Sequence, residues 1–316
     1  MKPTKPPAKI FPISSLISEL PSNVILPLSG NTSERGRLII IGDVHGMRKS
    51  LEALLEKVSF EKSKGDHLVL TGDLTNKGPD SPGVVDLAIK LGASAVRGNH
   101  ENAVLNAAAA INATSDSQNN TGDLSSSAAS ENESAPNPPS AATQSTASAL
   151  SKLQLDWLAA LPVALRIKLP PDLPSSLDNN LVAVHAGLVP GIPIEEQDPH
   201  AILHIRSLER SPEDEHKFLP ALARGEESWT VEWNRWQDSL ETKTTVIFGH
   251  DARRGLQISS HAIGLDSGCL YGNKLSAVVI EASNGRIGHQ IIQVECADTP
   301  VAPKEPVKEG DEEVAT

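Results

Sequence analysis

Five hydrophobic runs without polar alternation recur along the chain, and most of them contain β-branched residues. They cover residues 37–41, 68–70, 95–96, 181–184 and 245–248. A half-buried strand alternates apolar and polar side chains, whereas these runs are continuously apolar, which predicts strands buried on both faces of a sheet.

Helical patterns separate these predicted strands. Residues 50–58 carry apolar side chains at helical spacing, and residues 82–91 do the same, with Pro82 at the start and Gly92 just after the end. A further amphipathic helix is predicted over residues 151–158. Strands that alternate with helices indicate an α/β fold, in which functional groups collect at the carboxyl ends of the strands.

Each predicted strand is followed by a short motif that contains potential metal ligands. The motifs are Gly42-Asp43-Val44-His45-Gly46, Gly72-Asp73, Gly98-Asn99-His100-Glu101, His185-Ala186-Gly187 and Gly249-His250-Asp251. Together they offer two Asp, one Asn and three His as ligands, plus one further His. This set suits two divalent metal ions held side by side, as in phosphoester and phosphoanhydride hydrolases. Mixed His, Asp and Asn ligation favours Zn, Mn or Fe over Ca.

The ordered pattern GDxHG, GDxxxxG, GNHE, H and GH resembles the metallophosphoesterase superfamily, with its calcineurin-like and phosphoprotein phosphatase members. The resemblance covers about residues 35–106 and 151–295. It implies an α/β fold in the form of a four-layer α/β/β/α sandwich. It also implies site roles: Asp43 and His45 ligate the first metal, Asp73 bridges both metals, Asn99, His185 and His250 complete the second, and His100 is the general acid.

The second motif departs from that of Ser/Thr protein phosphatases. Asn76 replaces the acid that orients the catalytic histidine, and Lys77 replaces the phosphate-binding arginine. We expect Asn76 to accept a hydrogen bond from the imidazole of His100 without stabilising its charge, and Lys77 to bind phosphate as a point charge. Residues 249–257 and 264–277 resemble bacterial diadenosine tetraphosphatases, and the Lys-Gly-Pro form of the second motif resembles their eukaryotic ApaH-like relatives.

These resemblances imply a binuclear-metal phosphohydrolase in which metal-bound hydroxide attacks phosphorus and His100 protonates the leaving oxygen. The expected phosphate contacts are Lys77, Arg254, Asn99 and Arg253. Weak support of His100 by Asn76 favours a phosphoanhydride substrate, either inorganic polyphosphate or a dinucleoside polyphosphate. The alternatives are a Ser/Thr phosphoprotein phosphatase, an mRNA-decapping phosphohydrolase and, more remotely, a non-catalytic binding protein.

The ligand motifs span residues 43 to 250 and must therefore belong to one domain, predicted over residues 35–295. Residues 1–34 are an N-terminal extension, and residues 296–316 form a flexible acidic tail. Residues 107–150 are almost entirely Ala, Ser, Asn, Thr and Pro, without Lys, Arg or aromatic residues. This composition predicts a disordered insertion with possible regulatory partners, and its replacement by a short linker is expected to leave the fold intact.

The formal net charge of −12 is concentrated outside the predicted domain core. The insertion and the tail each account for four of these charges, and about −4 remains. The negative balance argues against stable nucleic-acid binding but not against a local site for a phosphorylated or polyanionic substrate. No run of eighteen apolar residues and no signal-peptide core are visible. The expectation is a cytoplasmic enzyme that does not interact with membranes.

Overall fold

The structure, a computed structural model, describes residues 17–21, 36–119, 139–214 and 216–302. Two large sheets and a short hairpin are formed by β1 (Ile17–Glu19), β2 (Leu38–Ile41), β3 (His67–Leu70), β4 (Ser94–Ala95), β5 (Ala164–Lys168), β6 (Asn180–Val184), β7 (Ser207–Arg210), β8 (Phe218–Ala221), β9 (Thr244–Phe248), β10 (Gln257–Ile258), β11 (Ala262–Gly264), β12 (Lys274–Ser283) and β13 (Arg286–Glu295). The helices are α1 (Arg48–Lys57), α2 (Ser81–Leu91), α3 (Asn99–Asn119), α4 (Ala141–Ala149), α5 (Lys152–Ala159), α6 (Pro199–His204) and α7 (Trp229–Asp238).

The two large sheets each contain a parallel centre. One has the strand order β13-β12-β2-β3-β4, and the other has the order β1-β5-β6-β9-β11-β10. In the first sheet β2, β3 and β4 are parallel, and in the second β6, β9 and β11 are parallel. The ligand-bearing motifs follow β2, β3, β4, β6 and β9, so these strands direct their carboxyl ends toward a common region.

Three hydrophobic cores separate four layers. On β2, Leu38 and Ile40 face the second sheet, whereas Ile39 and Ile41 pack under the helices on the first sheet. The outer face of the second sheet is covered by α6 and α7, including the buried Trp233. Because side chains alternate along a strand, burial of both sets confirms strands covered on both faces. The α/β/β/α sandwich expected from the sequence is thus confirmed.

The predicted helices are present at the predicted places. Asp80 caps α2 by accepting a hydrogen bond from the Gly83 N–H, and the helix ends at Gly92 with a φ of 66°. Ser151 and Gln154 form a capping box at the start of α5. These local signals act within a few residues, and they fix the helix ends independently of the tertiary fold.

The prediction that residues 107–150 form a disordered insertion is wrong at both ends of this segment. Residues up to Asn119 continue helix α3, and residues 141–149 form helix α4. Ala107, Ala108, Ala147 and Leu150 join the hydrophobic core beside α1 and α2. Alanine is the best helix former, and its small side chain lets two helices pack closely, so this alanine-rich segment folds despite its low complexity. Residues 120–138 lie outside the described residues.

Parts of both predicted extensions also belong to the folded unit. Residues 17–19 form β1, which pairs in parallel with β5 at the edge of the second sheet. Asp298, in the predicted flexible tail, accepts hydrogen bonds from the N–H and Oγ of Ser50 at 2.8 and 2.7 Å. A carboxylate at the first turn of α1 satisfies unpaired helical N–H groups, which anchors residues 296–302. Residues 1–16, 22–35 and 303–316 lie outside the described residues.

Candidate metal centre

The carboxyl ends of strands from both sheets meet at one cluster of buried polar side chains. Asp43 and Asp73 follow β2 and β3 of the first sheet, and Asn99 begins α3 after β4. His185 and His250 follow β6 and β9 of the second sheet. The ligands predicted from the sequence are therefore brought together: Asp43, His45, Asp73 and Asn99 come from the first sheet, and His185 and His250 come from the second.

Two glycines allow this close approach. A Cβ atom on Gly249 would lie 1.8 Å from Asp43 Oδ1, and one on Gly98 would lie 2.2 Å from Asp73 Oδ1. Any side chain at either position would displace a carboxylate from the cluster. Gly98 and Gly249 are thus required by space alone, since neither has a positive φ.

One half of the cluster contains His45, Asp73 and His100. Asp73 Oδ2 lies 3.4 Å from His45 Nε2 and 3.9 Å from His100 Nε2. Asp43 Oδ2 lies 3.9 Å from the same nitrogen of His45. A cation between these atoms would have two carboxylates and an imidazole as neighbours, as expected for the first metal site.

The other half contains Asp73, Asn99, His185 and His250. His185 Nε2 lies 2.8 Å from Asn99 Oδ1, 3.1 Å from His250 Nδ1 and 3.4 Å from Asp73 Oδ1. Asp73 thus presents one oxygen to each half, the arrangement required of a bridging carboxylate.

The hydrogen-bond chemistry of His185 tests whether this half fits a metal ion. Its Nδ1 lies 3.0 Å from the carbonyl oxygen of Thr71, which can only accept, so Nδ1 carries the hydrogen. Burial lowers the pKa of His185 to about 4, and the neutral ring presents a lone pair on Nε2. That lone pair faces the oxygens of Asn99 and Asp73, which are acceptors too. Three acceptors that converge without a hydrogen between them fit a cation.

Two further features support the same fit. His250 Nε2 is buried and has no hydrogen-bond partner among the described residues. Burial, together with the charges of Asp266 and Asp73, raises the pKa of Asp43 well above its usual range. Burial also raises the pKa of Asp73 to about 7 and that of Asp266 to about 6. Bound cations would offset this repulsion among buried carboxyl groups.

Asp266 was missed by sequence reasoning. It is buried, contacts the carboxyl group of Asp43 and follows β11 in the second sheet. It lies within residues 264–277, which the sequence singled out only as a subfamily signature. Its position directly after an apolar strand, like that of Asp43, is the signal that could have identified it.

Glu101 holds the motifs together. Its carboxylate accepts hydrogen bonds from the N–H groups of Asp73, Thr75 and Gly98 and from the Thr75 hydroxyl, at 2.7 to 3.0 Å. It is fully buried. These four bonds fix the loop after β3 against the start of α3, which sets Asp73 beside His100.

The contact between Asn76 and His100 differs from the expectation. Asn76 Oδ1 accepts a hydrogen bond from the N–H of Lys77, so its amide nitrogen is the atom that faces His100 Nδ1, at 3.0 Å. Asn76 therefore donates to the imidazole instead of accepting from it. With Nδ1 as an acceptor, His100 carries its hydrogen on Nε2, the nitrogen nearer to Asp73. Burial and the neighbouring cationic groups keep the pKa of His100 well below its usual range.

Lys77 lies beside the carboxylates, and the two predicted arginines lie on the turn after His250. Partial desolvation lowers the pKa of Lys77, which the charges of Asp73 and Asp43 oppose. Its side chain stays accessible to solvent. Arg254 contacts Asp251 and Ser228, and Arg253 is exposed.

Two arginines that the sequence did not identify converge on Asp251. Arg206 lies 3.5 Å from the Asp251 carboxylate, and Arg224 donates a hydrogen bond to it. The charge of Arg206 also acts on Asp73 and on His185, which places it near the cluster. Neither arginine belongs to a ligand motif. Arg206 directly precedes the β7–β8 hairpin, and Arg224 follows it.

Within the described ranges, no helix is both long enough and apolar enough to cross a lipid bilayer.

Comparison with known proteins gives consistent relatives. The family model for calcineurin-like phosphoesterases matches residues 36–279. The zinc-dependent endopolyphosphatase of Saccharomyces cerevisiae is 24% identical, with 92% of this chain and 88% of that protein covered. The symmetrical bis(5'-nucleosyl)-tetraphosphatase of Nitrosospira multiformis is 27% identical, with 81% and 94% covered. A crystal structure provisionally assigned as a diadenosine tetraphosphatase superposes with a TM-score of 0.62 at 32% identity, covering 89% of this chain and 98% of that one.

Proposed function

The chain belongs to the calcineurin-like phosphoesterase family, whose members are metal-dependent phosphohydrolases, and we propose that it cleaves phosphoanhydride bonds in inorganic polyphosphate or a dinucleoside polyphosphate. Asp43, His45 and Asp73 would hold one divalent ion. Asp73 would share the other with Asn99, His185 and His250. Two such cations would lower the pKa of water and neutralise phosphoryl oxygens.

The remaining residues of the site supply proton transfer and phosphate binding. His100 carries a hydrogen on Nε2 and can donate it to the leaving oxygen. Neutral imidazole is a weak acid, and Asn76 offers it no negative charge. A phosphoanhydride leaving group needs less help from an acid than an alkoxide does, so the uncharged His100–Asn76 pair favours anhydride substrates.

The observation that carries the choice of substrate is the cationic rim of the centre. This rim consists of Lys77 and Arg206, whose charges act on Asp73, and of Arg224 and Arg254, which pair as Arg206 does with Asp251, the residue after His250. One phosphate monoester does not require so many cations. Successive phosphates of a polyanion would each find a charge-assisted hydrogen bond. Two of the relatives are named for polyphosphate or tetraphosphate substrates, which supports the same choice.

The test is a substrate panel. The purified protein is reconstituted separately with Zn, Mn, Co and Mg and offered long-chain polyphosphate, diadenosine tetraphosphate, capped RNA and a phosphoserine peptide. We expect efficient hydrolysis of a phosphoanhydride, with polyphosphate slightly favoured, and slow turnover of the peptide. A preference for the peptide would instead identify a phosphoprotein phosphatase, and a preference for capped RNA a decapping enzyme.

Matched arginine variants test the rim. Arg224→Met is expected to raise KM for polyphosphate about tenfold or more, while KM for p-nitrophenyl phosphate changes less. Arg235→Met is the control, because Arg235 is exposed and pairs only with Glu232 on its own helix among the described residues. Equal effects of Arg224→Met on both substrates would contradict a role in binding the additional phosphates.

A further inference from the structure

Helix α4 places one side chain against the candidate metal centre. Thr143, in its first turn, is 6% exposed, and its Oγ1 accepts a hydrogen bond of 3.0 Å from Nδ2 of Asn76. The same Oγ1 lies 2.9 Å from the hydroxyl of Ser140, which caps the helix by accepting from the Thr143 N–H. The Thr143 hydroxyl is therefore held in place by the start of the helix.

Both N–H groups of the Asn76 amide have a partner, and so has its oxygen. Its oxygen accepts from the N–H of Lys77, and its nitrogen contacts Thr143 Oγ1 and His100 Nδ1, at 3.0 Å each. An amide group is planar, so its two N–H bonds point in fixed directions. The bond to Thr143 thus determines the direction of the bond to His100. Asn76 is 2% exposed, and solvent does not readily replace a lost partner there.

The backbone alone does not fix this amide. Asn76 and Lys77 both have positive φ values, 74° and 70°. Their loop is held by the Ser81 hydroxyl, which accepts from the Asn76 N–H. These contacts set where the Asn76 Cα lies. The rotation of its side chain depends on the partners of the amide, and Thr143 is the partner contributed by α4.

We propose that Thr143 is a positioning residue for His100, which it orients through Asn76 so that Nδ1 accepts and the hydrogen on Nε2 points toward the reacting phosphate. This inference rests on the proposed function, in which His100 protonates the leaving oxygen. The composition of the segment that contains α4 predicted disorder. In this proposal α4 has a role in the reaction, in addition to the packing of Ala147 and the adjacent Leu150 in the core.

The test compares four variants of the full-length protein. Thr143→Val keeps the shape of the side chain and removes the acceptor, whereas Thr143→Ser keeps the hydroxyl. Thr143→Ala removes the acceptor without adding a methyl group and serves if the valine variant is unstable. Thr146→Val is the matched control, because Thr146 lies on the same helix and its hydroxyl bonds to the carbonyl of Ala142.

The kinetic readout is the dependence on the leaving group. Phenolate, which phenyl phosphate expels, is a poorer leaving group than the p-nitrophenolate of p-nitrophenyl phosphate. Hydrolysis of phenyl phosphate therefore depends more on an oriented acid. We expect Thr143→Val to lower kcat for phenyl phosphate about tenfold, or about 1.4 kcal/mol, with KM and p-nitrophenyl phosphate turnover within about twofold of wild type. Thr143→Ser and Thr146→Val should match wild type, and Thr143→Val should add little in an Asn76→Ala background.

A second readout does not depend on turnover. Nitrogen-15 spectra of the histidine rings report which nitrogen of His100 carries the hydrogen, before and after Zn²⁺ is added. We expect Nε2–H in wild type and Thr146→Val, and a mixture with Nδ1–H in Thr143→Val. Unchanged ring nitrogens in Thr143→Val, or equal slowing of both substrates, would overturn the positioning role. Failure of the wild-type enzyme on every phosphoanhydride would overturn the proposed function instead, and the spectra would still decide the role of Thr143.

Discussion

Asp73 is the residue on which both halves of the centre depend. One of its oxygens lies near His45 and the other near His185, and Oδ1 also accepts the N–H of His100 at 2.9 Å. Asp73 has a φ of 50°, a backbone conformation that residues other than glycine rarely adopt. Among the described residues, seven non-glycine residues have positive φ, and five belong to the site motifs: His45, Asp73, Asn76, Lys77 and His250. Backbone strain is thus concentrated where ligands must converge.

We expect Asp73→Asn to abolish more than about nine-tenths of turnover and to reduce the content of both metals, because one carboxylate serves both ions. Loss of an ionic ligand costs far more than the 1.36 kcal/mol that corresponds to tenfold in rate. Elemental analysis and phosphate release measure the two effects. His100→Ala is the control, since it should keep both metals. Full metal content in Asp73→Asn would exclude the bridging role.

A second residue-scale prediction concerns Asp66, which is remote from the metal cluster. Burial alone would raise the pKa of Asp66, but hydrogen bonds from Arg37 and from the backbone N–H groups of Glu61 and Arg37 outweigh it, and the pKa is lowered. A carboxyl group whose folded pKa is depressed stabilises the fold above its unfolded pKa of about 3.9 and loses this effect as pH falls through the folded pKa.

Asp66→Asn should therefore cost about 2 kcal/mol of unfolding free energy at pH 7, between the values typical of exposed and of fully buried pairs, because Arg37 is partly exposed. The difference from wild type should shrink below about pH 4. Urea denaturation between pH 3 and 7 measures it. Glu61→Gln, which breaks only the exposed pair with Lys64, should change stability little. A pH-independent difference would contradict the ionic explanation.

At the scale of elements, the helical pair α3 and α4 joins the core to the site. Helix α3 begins with Asn99, His100 and Glu101, and its later turns pack with α4 through Ala107, Ala108 and Ala147. The alanine-rich stretch is helical because its neighbours supply a surface to bury against. Isolated helices of this length are marginal in water, and tertiary packing supplies most of their stability.

Replacement of residues 107–150 by a short Gly/Ser linker is accordingly expected to destabilise the protein by at least about 3 kcal/mol, because it removes buried side chains including Leu150. Replacement of residues 120–138 alone retains both helices and should leave stability near that of wild type. Thermal unfolding of the two variants measures the difference. Equal stability would show that α4 contributes nothing to the core.

At the scale of the whole molecule, the centre links the two sheets. Asp43, Asp73 and Asn99 come from the first sheet, and His185 and His250 come from the second. The hydrophobic core between the sheets holds them face to face, and bound ions would add a polar link at one edge. Ligands that bind only the folded state stabilise it by mass action.

Chelation should therefore lower the melting temperature. For a metal present at about a thousandfold its Kd, the loss is about 4 kcal/mol, or about 10 °C for a protein of this size. Scanning calorimetry with and without EDTA measures the shift. The Asp73→Asn variant should respond much less to EDTA, and an unchanged melting temperature of the wild-type protein would contradict metal binding between the sheets.

The local chemistry of the chain determined five of the described strands (β2, β3, β4, β6 and β9), the helices α1, α2 and α5, and the ligand motifs. Continuous apolar runs predicted strands such as β2, and capping residues such as Asp80 marked a helix start. These features depend on neighbours within a few residues, so they can be read without knowledge of the fold. Disorder was wrongly predicted for residues 107–150 because their composition contains no information about the apolar surface of α3 against which α4 packs.

Only the tertiary structure decided which distant groups meet at the centre. It brought Asp266 to Asp43, Arg206 and Arg224 to Asp251, and Thr143 to Asn76. It also turned the amide nitrogen of Asn76 toward His100, because the N–H of Lys77 occupies the amide oxygen. Such contacts join residues far apart in sequence or depend on the rotation of one buried group. They follow from how two sheets and their helices pack, which no local pattern encodes.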